Sequence, residues 1–289
     1  MIRLKELLFW ELRFLLPLVS IIIPTYNRLT MLSELMEALV LQTRKDFEVI
    51  VVNDGGERVD SLKEYYPELD LTVIDLTENV KHVQARNIGV SFAKGEYIML
   101  IDDDDLIVPT HLETMIEKIE DVDLVYSDVE IVQYVKKNGI REAASRHLFA
   151  YELDLPAMRR FSTFVPSGSL YRSYLHDRIG KFDPEMKNYW DWDFFLRVCE
   201  KFRVARSAIA GVLYDFSEEN SNQSKDLDSM RFYLDRLSEK HSLGHLPTKN
   251  FWLLLNEPQV KKREAPSKII WNGMPFISRM HRLGRLEEV

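Results

Sequence analysis

The stretch that decides how the chain folds is residues 97–109, YIMLIDDDDLIVP. Five mostly apolar residues precede four consecutive aspartates, Asp102–Asp105, and a second apolar run ends at Pro109. A short unbroken apolar run predicts a buried strand. Adjacent carboxylates at the end of a buried strand repel one another, so they need a cation nearby. A solvated turn that caps a helix near Pro109 is the simpler alternative, but a cap does not require four acids.

The composition excludes several classes of protein. The chain has 289 residues, 46% hydrophobic and 29% charged, which predicts one large globular domain or two small ones. Its single cysteine, Cys199, excludes an internal disulfide framework and favours a reducing, cytoplasmic location. No apolar run approaches the ~20 residues of a membrane-spanning helix. Charges interrupt the N-terminal residues and no small-residue cleavage site follows them, so we do not expect a signal peptide.

The charge is unevenly distributed along the chain. The net charge is −8, which argues against general nucleic-acid binding, yet residues 259–289 carry +4 and leave −12 for the rest. Residues 1–17 and 267–286 are both apolar with interspersed basic residues, a composition typical of amphipathic helices on an anionic membrane surface. The same composition suits packing on the protein's own core or across a dimer, and both interpretations stay open.

Strand and helix patterns alternate through the first hundred residues. Apolar runs predict strands at 18–27, 47–54, 71–76 and 96–102, and helical spacing predicts helices at 29–42, 58–66 and 82–95. Strands that alternate with helices, each strand an unbroken apolar run, form a mostly parallel sheet covered by helices on both faces. The predicted fold class is therefore α/β, of the Rossmann-like, nucleotide-binding kind.

Ligands of such sheets bind beyond the carboxyl ends of the strands. The polar residues that follow three of the predicted strands meet at that edge: Thr25, Tyr26, Asn27, Asn53, Asp54 and Asp102–Asp105. Carboxylate oxygens without nearby His or Cys ligands favour Mg²⁺ or Mn²⁺, which are normally shared with the phosphates of a substrate. We therefore predict a divalent metal ion and a phosphate-bearing ligand at this edge.

A second group of candidate residues lies in NYWDWDFFLRVCEKF, residues 188–202. Its apolar positions recur at helical spacing, which predicts a helix with Asp191 and Asp193 in the first turn. Both acids could simply favour the helix dipole. Alternatively, Trp190 and Trp192 would form a partly dry, flat-walled site for sugar rings, and such surroundings raise the pKa of a carboxylate toward that of a general base.

The order and spacing of four motifs resemble those of the inverting glycosyltransferases of family 2, which have the GT-A fold. The motifs are VSIIIPTYNR, FEVIVVNDGG, ARNIGVSFAKGEYIMLIDDDD and WDWDFFLR. The resemblance covers about residues 18–225 and implies a nucleotide-sugar donor, a divalent metal and a smaller acceptor-side subdomain. It divides the chain into an N-terminal amphipathic helix (1–17), a nucleotide-sugar-binding half (18–130), an acceptor-binding half with the catalytic base (131–225) and a helical, basic C-terminal extension (226–289).

The resemblance implies donor-side roles for Pro24, Thr25, Tyr26, Asn53, Asp54, Arg86, Asp102 and Asp103. Either Asn53 or Asp54 would bond the base, and Arg86 would approach the base or the diphosphate unless it is an ordinary surface arginine. Asp102 would lie near the ribose and Asp104 on the metal, Mn²⁺ or Mg²⁺. The run of four aspartates allows this frame to slip by one residue, to Asp103 and Asp105.

The resemblance also implies an acceptor site formed by Ser167, Gly168, Trp190, Trp192 and Asp193. Asp191 would be the general base, with Asp193 as the fallback, and Trp190 stands where the family usually has glutamate. Ser217 occupies the place where many members carry a histidine close to the diphosphate.

The implied reaction is a single displacement at the anomeric carbon. The metal offsets the charge of the leaving nucleotide while Asp191 deprotonates an acceptor hydroxyl, so an α-linked donor gives a β-linked product. A UDP-sugar is the expected donor, and a saccharide or lipid-linked saccharide is the expected acceptor. The enzyme would work in the cytoplasm, either free or on the inner face of the membrane.

Two other functions fit parts of the sequence. A sugar nucleotidyltransferase uses a similar sheet but usually opens with a glycine-rich loop, which IPTYNRLTM lacks. A non-catalytic sugar- or partner-binding module on the same fold is favoured by Trp190 in place of an acid. The presence of Asp102, Asp104 and Asp191 argues against such a module.

Overall fold

The structure, a computed structural model, describes residues 16–217, 227–249 and 251–282. Its strands are β1 (Val19–Thr25), β2 (Phe47–Asn53), β3 (Asp70–Asp75), β4 (Tyr97–Leu100), β5 (Leu106–Ile107), β6 (Leu124–Lys137), β7 (Ile140–Phe149), β8 (Leu170–Arg172), β9 (Val204–Asp215) and β10 (Lys268–Ile269). Its helices are α1 (Leu29–Val40), α2 (Ser61–Tyr65), α3 (His82–Phe92), α4 (His111–Lys118), α5 (Leu155–Met158), α6 (Leu175–Ile179), α7 (Trp190–Cys199), α8 (Leu227–His241), α9 (Phe251–Leu255) and α10 (Pro258–Lys261).

The strands of the described residues form one mixed sheet, in the order β3-β2-β1-β4-β8-β6-β9-β10. β1 lies between β2 and β4 and runs parallel to both. β8 is antiparallel to β4 and to β6, whereas β9 is parallel to β6. β7 forms a hairpin with β6, and the short β5 pairs with β9. This arrangement confirms the predicted α/β class with a mostly parallel central sheet.

The central strand β1 is buried along its whole length because helices cover both faces of the sheet. Ile21 and Ile23 belong to the apolar cluster that contains Leu35 of α1, whereas Ile22 faces α3 on the other side. Each fully buried side chain of this size contributes roughly 1.5–3 kcal/mol. An added Cβ at Gly89 of α3 would lie only 2.5 Å from Ile22 Cγ2, so close helix–sheet packing requires glycine there.

The predicted strand boundaries in this half agree with the structure to within two residues. The helix predicted at 82–95 instead ends at Phe92, and Ala93 is already extended, with ψ 132°. The chain turns here because the Gly95 N–H donates to Ser20 Oγ at 2.8 Å, which brings the start of β4 against β1. The helix predicted near 58–66 is likewise shorter, at 61–65.

The C-terminal extension is less helical than its composition suggests. α8 is a long helix, but no α-helix occurs within 262–278, and β10 in this segment pairs with β9. Pro266, Gly273 and Pro275 all disfavour helix in this part of the chain. The prediction of an amphipathic helix over 267–286 is therefore wrong for 267–278, a helical turn begins at Arg279, and residues 283–286 lie outside the described residues.

Two basic residues of the extension bind acids of the sheet domain. Arg279 Nη1 donates to Glu68 at 2.9 Å, and Arg282 Nη2 donates to Glu37 at 3.2 Å. Trp271 of the same segment is buried in the core. Part of the positive charge of the extension therefore neutralises the acidic body of the protein.

Neither terminal segment supplies a membrane-crossing helix within the described residues. None of the helices between residues 16 and 282, outside the two gaps, is long and apolar enough to cross a bilayer. Residues 1–15, which carry most of the predicted N-terminal amphipathic helix, lie outside the described residues.

Candidate active site

An open cavity of about 520 Å³ lies beyond the carboxyl ends of β1, β2 and β4. Its volume is within the range of cavities that bind small ligands. It is lined by ten of the residues that the sequence predicted, namely Pro24, Thr25, Tyr26, Asp54, Arg86, Asp102, Asp103, Asp104, Trp190 and Asp191. Five others do not line it, namely Asn53, Ser167, Gly168, Trp192 and Asp193. The structure therefore brings the predicted base and the predicted donor-side residues other than Asn53 together, and it places most of the predicted acceptor residues elsewhere.

Asn53 and Asp54, at the end of β2, have different surroundings. Asp54 lines the cavity and accepts a hydrogen bond from the Val80 N–H at 2.7 Å, and burial raises the pKa of its carboxyl group. Asn53 is turned away, because its Nδ2 donates to Asp75 Oδ1 at 2.8 Å. Of the two residues that the sequence left open, Asp54 is the one that a ligand in the cavity can reach.

Asp103 and Asp104 share one arginine, Arg28. Arg28 Nη1 donates to Asp104 Oδ2 at 2.6 Å and to Asp103 Oδ1 at 3.2 Å. Asp103 Oδ2 also accepts from Thr25 Oγ1 at 2.7 Å, which ties the run to the end of β1. Sequence reasoning missed Arg28, although it directly follows PTYN, because the acids that it pairs with lie about 75 residues away along the chain.

Arg86 is not a surface arginine but a buried part of the cavity wall. It is 3% exposed, and its Nη2 donates to Asp102. Its Nη1 hydrogen-bonds His82 Nδ1 at 2.7 Å, and its guanidinium lies 4.3 Å from the ring centroid of Trp190. Trp190 thus stabilises Arg86 by a cation–π contact, at the position where the resemblance described above implies an acid.

Asp105 lies behind the cavity rather than in its wall. Its side chain accepts a hydrogen bond from Ser167 Oγ, and burial raises its pKa well above the usual range. Ser167 Oγ also accepts from the Asp102 N–H at 3.1 Å, so this serine fixes the aspartate run from behind. Gly168 has φ +75°, and a Cβ there would lie 2.3 Å from Val212 Cγ2. Internal packing explains this glycine without any approach to a sugar.

The carboxylates of Asp102, Asp104 and Asp105 fit a divalent cation. Each offers one oxygen, and these three oxygens all lie within 4.8 Å of one another. Burial, together with repulsion by Asp103, raises the pKa of Asp104 to about 7. A cation would relieve this repulsion, and a set of hard oxygen donors suits Mn²⁺ or Mg²⁺. The cluster contains Asp102 and Asp104, the two residues of the predicted frame, and Asp105 in addition.

The start of α7 places Asp191 in the cavity. Tyr189, immediately before the helix, has a left-handed backbone with φ 60°, and Asp191 follows in the first turn. Burial, together with the charge of Asp102, raises the pKa of Asp191 to about 6. A carboxyl group with this pKa can accept a proton near neutral pH.

Asp193 and Trp192 face the interior instead. Asp193 is fully buried and lies within 2.9 Å of Arg197, Lys240 and His241, and its pKa is lowered to about 2 by these hydrogen bonds and charges despite its burial. Trp192 Nε1 donates to the Met158 carbonyl at 2.8 Å. Asp193 is therefore committed to an ion-pair cluster, and the assignment of a base depends on Asp191.

Strained backbone borders the cavity on several sides. Lys81 has φ 74° and Tyr189 has φ 60°, and both line the cavity, while Asn27, with φ 55°, lies between the lining residues Tyr26 and Arg28. Non-glycine residues rarely adopt this region, and such strain is concentrated at functional sites. Further lining residues that the sequence did not indicate are Asn79, Lys81, His82, Pro166, Lys187, Asn188, Tyr189, Tyr214, Asp215 and Met230.

A buried arginine supports the cavity from the sheet side. Arg141, on β7, donates to Glu34 Oε2 at 2.5 Å, to Asp215 Oδ2 at 2.8 Å and to the Asp104 carbonyl at 3.0 Å. Ser217, which stands where the resemblance implies a histidine, donates its hydroxyl to Asp215. Asp215 lines the cavity, so Arg141 links the aspartate run to the end of β9.

Replacing Arg141 with methionine should lower the free energy of unfolding by about 3–5 kcal/mol, because two buried carboxylates lose their partner. Urea denaturation followed by circular dichroism measures this loss. Lys137→Met is the matched control, since it removes an exposed ion pair with Glu142 on the same hairpin and should cost less than about 1 kcal/mol. Equal losses for the two variants would contradict the prediction.

A mostly parallel sheet of this topology, with a carboxylate cluster and a separate carboxylate facing one cavity, is the architecture of a GT-A glycosyltransferase. The chain belongs to glycosyltransferase family 2, because the profile described as Glycosyl transferase family 2 matches residues 20–180. This membership confirms the family that the sequence motifs resemble.

Two relatives that resemble the chain over most of its length are also named as glycosyltransferases. The chain is 55% identical over 265 residues to the uncharacterized glycosyltransferase YwdF of Bacillus subtilis (strain 168), across 91% of this chain and 99% of the relative. It is 28% identical over 225 residues to the uncharacterized glycosyltransferase RT0329 of Rickettsia typhi, across 74% of this chain and 70% of the relative.

Solved structures share the fold at lower identity. S. aureus TarS, residues 1–349, superposes with a TM-score of 0.58 at 24% identity, over 77% of this chain and 64% of that 1–349 chain. The mannosyltransferase PcManGT of Pyrobaculum calidifontis, in complex with GDP-Man and Mn²⁺, gives a TM-score of 0.57 at 19% identity, over 80% of this chain and 66% of that chain. The chain therefore spans about two thirds of the length of these structures.

Proposed function

We propose that the protein is a metal-dependent, inverting hexosyltransferase that moves a sugar from a nucleoside-diphosphate sugar, most simply a UDP-sugar, to an acceptor hydroxyl on a saccharide or a lipid-linked saccharide. One observation carries the proposal: Asp102, Asp103 and Asp104 of the aspartate run line the same cavity as Asp191. The ligands of the fold relatives support it, since TarS was solved with UDP-GlcNAc and PcManGT with GDP-Man and Mn²⁺.

The donor half of the cavity would hold the nucleotide. Tyr26 is half exposed and offers a flat ring, and Asp54 offers a carboxylate to the base. Arg86 holds Asp102 in place, so that its carboxylate keeps a fixed position toward the ribose. These residues would position the leaving group beside the aspartate run.

Asp102, Asp104 and Asp105 would hold Mn²⁺ or Mg²⁺, with Asp104 as the main ligand. A divalent cation supplies charge that offsets the negative charge on a departing diphosphate. Asp191 would take the proton from the acceptor hydroxyl, which then attacks the anomeric carbon on the face opposite the leaving nucleotide. An α-linked donor would therefore give a β-linked product.

The acceptor half is bounded by Trp190 and by the segment around residues 187–189. These residues replace Ser167, Trp192 and Asp193, whose side chains are engaged internally, and Gly168, which packs closely against Val212. We place the reaction in the cytoplasm, with peripheral binding to the inner membrane face as part of the same proposal. The apolar and basic composition of both terminal segments supports this location. Fractionation of a lysate at low and high salt tests it, since full solubility at low salt would exclude membrane binding.

Hydrolysis of the donor in the absence of acceptor tests the enzymatic function. The protein should release nucleoside diphosphate from one member of a panel of nucleotide sugars, and the release should require Mn²⁺ or Mg²⁺. A binding module on the same fold, which Trp190 in place of an acid would favour, binds a sugar but releases no nucleotide. Asp191→Asn is the matched control, because it keeps the donor half of the cavity intact.

The rate of transfer should depend on pH through Asp191, which must be ionised to accept a proton. Since burial raises the pKa of Asp191 to about 6, kcat should be constant above about pH 7 and fall about tenfold for each pH unit below 6. Initial rates at saturating donor and metal between pH 5 and 8 measure this profile, with thermal unfolding at each pH as the control for folding. A kcat that rises on acidification would contradict the prediction.

A further inference from the structure

Arg28 occupies the aspartate run from the cavity side. Its guanidinium contacts Asp104 at 2.6 Å and Asp103 at 3.2 Å, and its side chain is 27% exposed. Its backbone is fixed at the start of α1, where the Arg28 carbonyl accepts from the Leu32 N–H at 3.0 Å. The guanidinium can therefore move into the cavity by side-chain rotation alone.

This contact competes with any metal ion that uses Asp104 as a ligand. Within the described part of the chain, Arg28 is the side chain that donates to the Asp104 carboxylate. A divalent cation on the Asp104 carboxylate would repel the guanidinium at short range. Metal binding at this carboxylate therefore disfavours the contact between Arg28 and Asp104.

A diphosphate is the partner that suits the displaced arginine. The planar guanidinium of arginine pairs with phosphate oxygens through two parallel hydrogen bonds. Thr25, Tyr26 and Asp104 line the same wall of the cavity as Arg28, so a donor bound there would bring its phosphates within reach of the guanidinium.

We propose that Arg28 is a resident counter-cation that leaves Asp104 when the metal binds and then pairs with the diphosphate of the donor, so that metal and nucleotide each raise the affinity of the other. This inference rests on the proposed function and adds to it a residue that couples the two ligands. Such coupling is reciprocal, because each ligand must change the affinity for the other by the same factor.

Arg28→Gln should separate the competition of Arg28 with the metal from its pairing with the diphosphate. Mn²⁺ alone should bind about tenfold more tightly than to the wild type, because no guanidinium competes for Asp104. UDP should bind more weakly in the presence of Mn²⁺, and the coupling factor between Mn²⁺ and UDP should fall by about fivefold or more. Arg28→Lys keeps the positive charge and should bind Mn²⁺ alone about as weakly as the wild type.

Titration with Mn²⁺, followed by electron paramagnetic resonance of the free ion, measures these affinities with and without UDP. Arg58→Gln is the control, since Arg58 is 84% exposed and pairs with Asp60 outside the cavity, and thermal unfolding checks the fold of each variant. If the wild type binds UDP with Mn²⁺ but Arg28→Gln binds Mn²⁺ alone no more tightly, the inference is overturned. If the wild type binds no nucleoside diphosphate with Mn²⁺, the proposed function itself fails.

Discussion

Asp191→Asn should lower kcat for sugar transfer by about 10²- to 10⁴-fold, which is the usual contribution of a general base. Asparagine fills the same volume but cannot accept a proton, so the affinities for nucleotide and metal should stay within about twofold of the wild type. Steady-state kinetics with the identified donor, together with calorimetric titration of UDP and Mn²⁺, measure the two quantities separately.

Asp193→Asn is the matched control for this variant, because both aspartates lie in the first turn of α7. Asp193 pairs with Arg197, Lys240 and His241 and its pKa is lowered to about 2, so its ionised form stabilises the fold above the unfolded pKa. The control should lose about 2 kcal/mol of unfolding free energy and keep most of its kcat. A large loss of kcat in Asp193→Asn with normal kinetics in Asp191→Asn would reverse the assignment of the base.

Asp104→Asn should abolish metal-dependent turnover, with a loss of about 10³-fold or more, since several kcal/mol of charge stabilisation depend on the cation. Its unfolding free energy should be unchanged or higher. Burial and the neighbouring Asp103 raise the pKa of Asp104 to about 7, so the ionised form costs stability at neutral pH, and asparagine removes that cost.

The loss of turnover without a loss of stability distinguishes removal of a metal ligand from misfolding. A variant that loses activity because it is misfolded would show lower stability, whereas Asp104→Asn should be inactive and at least as stable as the wild type. Asp75→Asn is a control at the same edge of the sheet, since Asp75 contacts Asn53 and does not line the cavity. Activity of Asp104→Asn close to that of the wild type would remove the basis for the metal site.

Most of the residues that the sequence predicted for the donor side lie at one edge of the sheet, because their positions follow from local patterns. Unbroken apolar runs indicated buried parallel strands, and such strands bring the residues after their carboxyl ends to one edge. Thr25, Asp54 and Asp104 line the cavity for this reason. The positions of these residues along the edge follow from the order of the strands in the sheet. The alternation of strands and helices along the chain limits the possible orders.

The acceptor half depends on rotation about a helix, which spacing alone does not fix. Successive residues on a helix are about 100° apart, so Asp191 and Asp193 point in directions about 200° apart, and only one of them can face the cavity. The same applies to Trp190 and Trp192. The orientation is set by Lys240 and His241 of α8, which bind Asp193 from about 48 residues away.

Long side chains explain why the sequence predictions missed two arginines at the site. Arg28 and Arg141 reach across the sheet edge to acids that are distant in sequence, and no periodicity reveals such pairs. In the C-terminal extension, Pro266 and Pro275 were the available signals against helix, but apolar and basic composition suggested an amphipathic helix.

Thermal unfolding of the wild-type protein with a panel of nucleoside diphosphates, each with and without Mn²⁺, tests the central claim most directly. One nucleotide, which we expect to be UDP, should raise Tm by several degrees at about 100 times its Kd, and only when Mn²⁺ is present. If no nucleoside diphosphate raises Tm in the presence of Mn²⁺, the cavity is not a metal-dependent donor site and the proposed function is contradicted.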